Sequence, residues 1–171
     1  MTSDRADVLD VVVIGIGNRY RRDDGAGPAV VAACRRRELP GVRTVPELTD
    51  PTTLLDVWSG AALVVLVDAA VSGSVPPGTV RCHRVTDLAE VATFGSHGMD
   101  VATVIRLGQA LGRAPGEIVI VSVEAGDTGQ GSGMTPDVAA AVPAAVELVS
   151  RLTAAVTERP APIPVPRTRP R

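Results

Sequence analysis

With 171 residues and a formal net charge of −2, the chain has the size of one compact domain, which on folding buries roughly 70% of its unfolded surface. All 17 basic residues are arginines, which excludes Schiff-base and P-loop lysine chemistry, and an aromatic content of 2% leaves few surfaces for stacking bases or sugars. Cys34 and Cys82 stand far apart outside any CxxC pairing, so neither a disulfide framework nor a structural zinc site is suggested.

Taken in chain order, MTSDRAD precedes the first apolar run and is no signal segment, and no run reaches the roughly 18 uncharged residues needed to span a bilayer. A soluble, cytoplasmic protein is expected. Residues 11–16 read as a buried strand and 24–37 as a helix, with Val30, Val31 and Cys34 on one side and arginines at the C-terminal end, where they complement the helix dipole. Residues 42–46 read as a second strand and 52–58 as a short helix. The run ALVVLVD over 62–68 reads as a fully buried strand whose last residue is Asp68.

After the turn GSVPPG, residues 79–85 alternate weakly, as a strand near the sheet edge does. Residues 99–111 carry Val101, Val104, Ile105 and Leu111 at helical spacing, stopped by Gly112 and Pro115. Residues 117–123 form another buried strand. Thr135-Pro136-Asp137 starts a helix, with an N-cap hydroxyl and proline in the first turn, and Pro143 is expected to kink or restart it. Strands alternating with helices predict an α/β fold with a mainly parallel sheet of about five strands covered on both faces. The domain is placed over residues 1–157, and the Pro/Arg-rich ERPAPIPVPRTRPR over 158–171 reads as an extended, solvated tail.

In such sheets the functional crevice lies beyond the carboxyl ends of the strands. The first strand runs into GIGN and then RDDG, the strand over 62–68 into Asp68-Ala-Ala, and the loop FGSHGM holding His97 precedes a helix. Two carboxylates and an imidazole could converge there on a divalent transition metal, with coordination positions left open for a Lewis-acid role or an activated water. Spacing does not choose nickel over zinc.

Each residue also has a simpler use. Asp23 and Asp24 could cap the first helix, Asp68 could cap a turn, and His97 could be an ordinary loop residue, while His83, between arginines on the edge strand, is expected to have an exposed structural role. Ser96 beside His97 lacks the G-x-S-x-G frame of a nucleophile elbow. Gly15 and Gly17 begin a dinucleotide fingerprint, but Tyr20 stands at its third glycine position.

The segment GIGNRYRRDDGAGPAV, followed by the strand-end Asp68-Ala69 and a histidine in a loop before a helix, resembles the signature of the hydrogenase maturation proteases. The segment from Val123-Glu-Ala through Gly133-Met-Thr-Pro-Asp-Val, and then Val142 to Val149, is similar to that family's C-terminal helix entry, so the resemblance covers roughly residues 10–155. It implies a three-layer α/β/α sandwich (phosphorylase/hydrolase-like) and a peptidase that removes a C-terminal extension from the [NiFe]-hydrogenase large-subunit precursor. It further implies that Asp24, Asp68 and His97 meet nickel carried by that precursor rather than a resident cofactor. No nucleic-acid or membrane partner is expected.

The chain departs from the family pattern at Glu47-Leu-Thr-Asp50-Pro, where a glycine-rich turn is common, and at Glu124-Ala125, where a proline often follows the polar residue. Two alternatives stand beside the peptidase: a nickel or hydrogenase-subunit checkpoint that does not cut, and a nucleotide-binding protein using the GIGN turn.

Overall fold

The sequence VVVIGI forms β1, Val11–Ile16, a strand buried along its whole length. β-branched side chains suit a strand that is covered on both faces. It is joined by β2 (Val42–Leu48), β3 (Leu63–Ala70), β4 (Val80–Arg84) and β5 (Glu117–Glu124). The sheet order is β2-β1-β3-β5-β4, all parallel except β4, which runs antiparallel to β5 at one edge. This computed structural model describes residues 10–48, 53–85 and 101–158.

Among the described residues four helices cover the sheet: α1 (Ala26–Arg36), α2 (Leu54–Trp58), α3 (Val101–Ala110) and α4 (Pro136–Thr157). Strand alternation divides the core between them. Val11, Val13, Val65 and Val67 meet Val30, Val31 and Cys34 of α1 and Val138, Val146 and Val149 of α4. Val12, Ile14, Val64 and Leu66 meet Leu54 and Trp58 of α2 and Val101 and Ile105 of α3. The result is the expected α/β/α sandwich. α4 is long and apolar enough to cross a bilayer by length and composition, but one face of it lies in the core and Glu147 on another pairs with Arg37 of α1.

Three local expectations change. The helix expected from residue 24 opens as a 3-10 turn, Arg22–Gly25, in which the Asp24 N–H reaches back only to the Arg21 carbonyl. β3 continues to Ala70, so Asp68 lies inside the strand rather than at its last position. α4 runs through Pro143 without a restart. Both Pro143 and Ala139, whose carbonyl loses its i+4 donor, face solvent, where water can take the missing bond's place.

Of the expected tail, only Glu158 lies among the described residues, as the C-cap of α4.

Candidate functional site

Strand order reverses at β1, with β2 on one side and β3 on the other. A ligand crevice forms at such a switch point, outside the carboxyl ends of the strands. The two carboxylates singled out by sequence come from these strands' ends.

Asp24 sits in the 3-10 turn after β1 and is fully buried. Its Oδ2 accepts a 2.9 Å hydrogen bond from the Asn18 backbone N–H, so the Asn of GIGN helps set the carboxylate's direction. Gly17, at φ 125, lets the chain turn under it: a Cβ there would lie 2.0 Å from the Asp24 carbonyl oxygen. The other glycines serve packing. A Cβ on Gly27 would lie 2.3 Å from both the Ile16 and Val67 carbonyl oxygens, and one on Gly15 2.3 Å from that of Pro46. No side chain fits at either position, so close backbone packing accounts for these glycines without a nucleotide.

Asp68 is 6% exposed and lies on the sheet face it shares with Val64 and Leu66, the face that α2 and α3 cover. Burial pushes its carboxyl up to about 7, against the pull of the Ala69 N–H, which donates to Oδ1 at 2.8 Å, and with a further push from the charge of Asp24. A buried carboxylate whose charge is disfavoured by its surroundings, with a second buried carboxylate near enough to add to that effect, forms a site that favours a cation. His97 lies outside the described residues. Among the described residues no group of three or more His, Cys, Asp or Glu side chains is placed to hold a metal, so Asp24 and Asp68 need a further donor to make a metal site.

Asp23 turns out to be neither a cap of α1 nor a member of this pair. Its buried carboxylate accepts four hydrogen bonds: from the backbone N–H groups of Gly126 and Asp127, both 2.9 Å, and from the backbone N–H (2.6 Å) and hydroxyl (2.9 Å) of Thr135. Burial alone would raise its pKa, but these donors together hold it below the ordinary aspartate value. The turn carrying Asp24 is thereby fastened to the loop after β5 and to the start of α4. Thr135 is the N-cap of α4 but makes no side-chain cap of its own.

Sequence reasoning missed Glu124, at the end of β5. It is 3% exposed and accepts from the N–H groups of Ser72 and Gly73, each at 2.8 Å, and from the Ser72 hydroxyl. It ties down the loop that follows Asp68. The available signal was an acidic residue closing a buried apolar run, the same signal that identified Asp68. Glu47, in the segment that departs from the family pattern, pairs with Arg19 at 2.5 Å. His83 is half-buried on the edge strand β4, away from this end of the sheet.

The family model for hydrogenase maturation protease matches residues 29–152, a span that takes in Asp68 and His97 and begins just after Asp24. The chain is 26% identical to the hydrogenase 2 maturation protease of Escherichia coli K12, over 82% of this chain and 88% of that protein. Its structure is similar to that of the [NiFe] hydrogenase maturation protease HybD from Thermococcus kodakarensis, with a TM-score of 0.69 and 26% identity over 83% of this chain and 97% of the other. The hydrogenase maturating endopeptidase HybD from E. coli superposes with a TM-score of 0.74 at 23% identity, covering 85% of this chain and 93% of the other, a likeness of fold.

Proposed function

From the premise that this chain belongs to the hydrogenase maturation protease family and is a hydrolase of the endopeptidase type, we propose that it removes a C-terminal extension from a [NiFe]-hydrogenase large-subunit precursor after nickel insertion. The observation that carries this reading is the pair Asp24 and Asp68, two carboxylates buried at the switch point of the sheet, where burial above all, and to a smaller extent the charge of Asp24, raises the pKa of Asp68. A divalent cation arriving with the precursor would relieve that repulsion and displace the proton that Asp68 holds.

In this reading Asp24 and Asp68 supply anionic oxygens and His97 an imidazole nitrogen, a donor set suited to nickel. The nickel is part of the substrate, so the peptidase acts only on a loaded precursor. Bound there, nickel would polarise the nearby peptide carbonyl or a water molecule. The protein's own contribution is orientation: Asn18 and Gly17 set Asp24, the Ala69 N–H sets Asp68, and the latches made by Asp23 and Glu124 hold the surrounding loops. Such a reaction belongs in the cytoplasm, where the precursor is made.

The test is the mass of a nickel-loaded precursor after incubation with wild-type protein, Asp68→Asn and His97→Ala. Wild type should remove a defined C-terminal segment, and both folded variants should leave the mass unchanged. Cleavage retained by both would overturn the assignment of the site. A wild-type protein that binds the precursor without shortening it would be a checkpoint rather than a peptidase.

A further inference from the structure

A groove of about 270 Å³ opens beside the Asp24 turn. Its floor is made by Pro28, Ala29 and Ala32 on the first turns of α1, one wall by Met134 before α4, and its rim by Arg19 and Arg22. Gly25, the immediate neighbour of Asp24, also lines it, so the groove runs along α1 next to the turn that carries Asp24. Resting on the peptidase reading above, we propose that this groove docks the precursor segment next to the scissile bond, and that this segment is extended, small in its side chains and anionic, with a carboxylate side chain received by Arg19 and Arg22.

Shape supports this occupant. The volume is below that of ordinary small-molecule pockets, while a floor of alanine and proline admits a peptide backbone with small side chains. Met134 can adapt to different apolar partners because its side chain is unbranched and flexible. Arg and Met are also residue types enriched where proteins bind one another.

Charge supports it as well. Three of the four residues from Arg19 to Arg22 are arginines in a chain whose net charge is −2. Arg22 is paired with Asp127 at 3.4 Å with both side chains about half accessible, and exposed pairs of this kind are weak, so its guanidinium can exchange its partner for an incoming carboxylate and hold it in a two-pronged grip. Arg19 is held more closely by Glu47, whose side chain is 23% accessible, but its own side chain is 57% accessible and can meet the same carboxylate from its open side. The protein's own C-terminal segment is the wrong occupant on the same ground, since RTRPR carries like charge.

The experiment measures KM and kcat for the nickel-loaded precursor, together with the Kd of the complex by calorimetry, for wild type, Arg19→Ala, Arg19→Lys and Ala32→Glu. Thermal melts followed by Trp58 fluorescence check that each variant is folded. Arg19→Ala and Ala32→Glu should each raise KM and Kd at least tenfold with kcat within twofold of wild type, and Arg19→Lys should recover part of the loss. Replacing the carboxylates of the precursor's C-terminal segment by amides should weaken wild type strongly and Arg19→Ala, which keeps only Arg22, by a smaller factor. Unchanged KM and Kd in folded Arg19→Ala and Ala32→Glu, or an Arg19 effect that persists with the amide precursor, overturns the proposal. If wild type binds but does not cut, the peptidase reading falls while the Kd series still judges the groove. If wild type neither binds nor cuts, both fall.

Discussion

Thr135 turns both its backbone N–H and its hydroxyl onto the carboxylate of Asp23, at 2.6 and 2.9 Å. A residue positioned to cap α4 is used instead to fasten the start of that helix to the turn bearing Asp24. Asp23→Ala leaves these donors and those of Gly126 and Asp127 without their acceptor, which should cost about 2–4 kcal/mol. Urea unfolding followed by Trp58 fluorescence measures it. Cleavage of the precursor should fall as well, because the Asp24 turn is no longer held; full stability in Asp23→Ala would refute the latch.

The two buried aspartates act on stability in different pH windows. Asp68 titrates near 7 when folded against an ordinary value of 3.8, so between these limits the native state holds a proton that the unfolded chain has lost. Its contribution is therefore favourable below about pH 4, is lost as pH rises toward 7, and is constant above, with a total change on the order of 4 kcal/mol. Asp68→Asn should flatten the stability curve of the metal-free protein across that window and be more stable than wild type at pH 8. Asp23, whose pKa is lowered, stabilises above its ordinary value and loses this as pH falls below about 4, so Asp23→Asn should lower stability at neutral pH and remove the part of the acid limb that Asp23 contributes. Chemical denaturation at a series of pH values separates the two.

Gly27→Ala would place a methyl 2.3 Å from the carbonyl oxygens of Ile16 and Val67. Backbone cannot yield as a side chain does, so the loss should be at least about 3 kcal/mol, and it should separate α1 from the strands that bear the site. Gly112→Ala meets no atom within 4 Å but sits at φ 65, so it should cost only about 1–2 kcal/mol. Comparing the two melts distinguishes crowding from backbone conformation.

Pro143→Ala should stabilise the protein by about 1–3 kcal/mol. The substitution restores the N–H that Ala139 lacks, at an exposed position of a helix already formed. A rise in melting temperature with unchanged activity checks it, and a fall would mean that Pro143 has a role beyond α4.

Much of the fold was legible because its signals are local. Continuous Val/Ile/Leu runs marked β1, β3 and β5, and the weak alternation over 79–85 marked the edge strand β4. What misled was local as well. Asp24 and Gly25 read as the start of a helix, yet the carboxylates of RDDG are used elsewhere: Asp24 toward Asn18, and Asp23 toward residues more than 100 positions along the chain. No spacing rule reaches that far. His97 was singled out from its glycine-flanked loop and lies outside the described residues, so the third donor is a matter for the cleavage experiment.

By itself the sequence determined the α/β class, the family, and the residue types available for chemistry, because periodicity, glycine placement and side-chain identity are carried in the order of residues. Tertiary structure alone decided which of two adjacent aspartates brings its charge near Asp68 and which becomes a latch, that Glu124 restrains the loop after Asp68, and that Arg19 and Arg22 line a groove beside the Asp24 turn. Charges and donors act over a few ångströms in space, and only the folding of β1, β3 and β5 into one sheet brings residues from distant parts of the chain within that range.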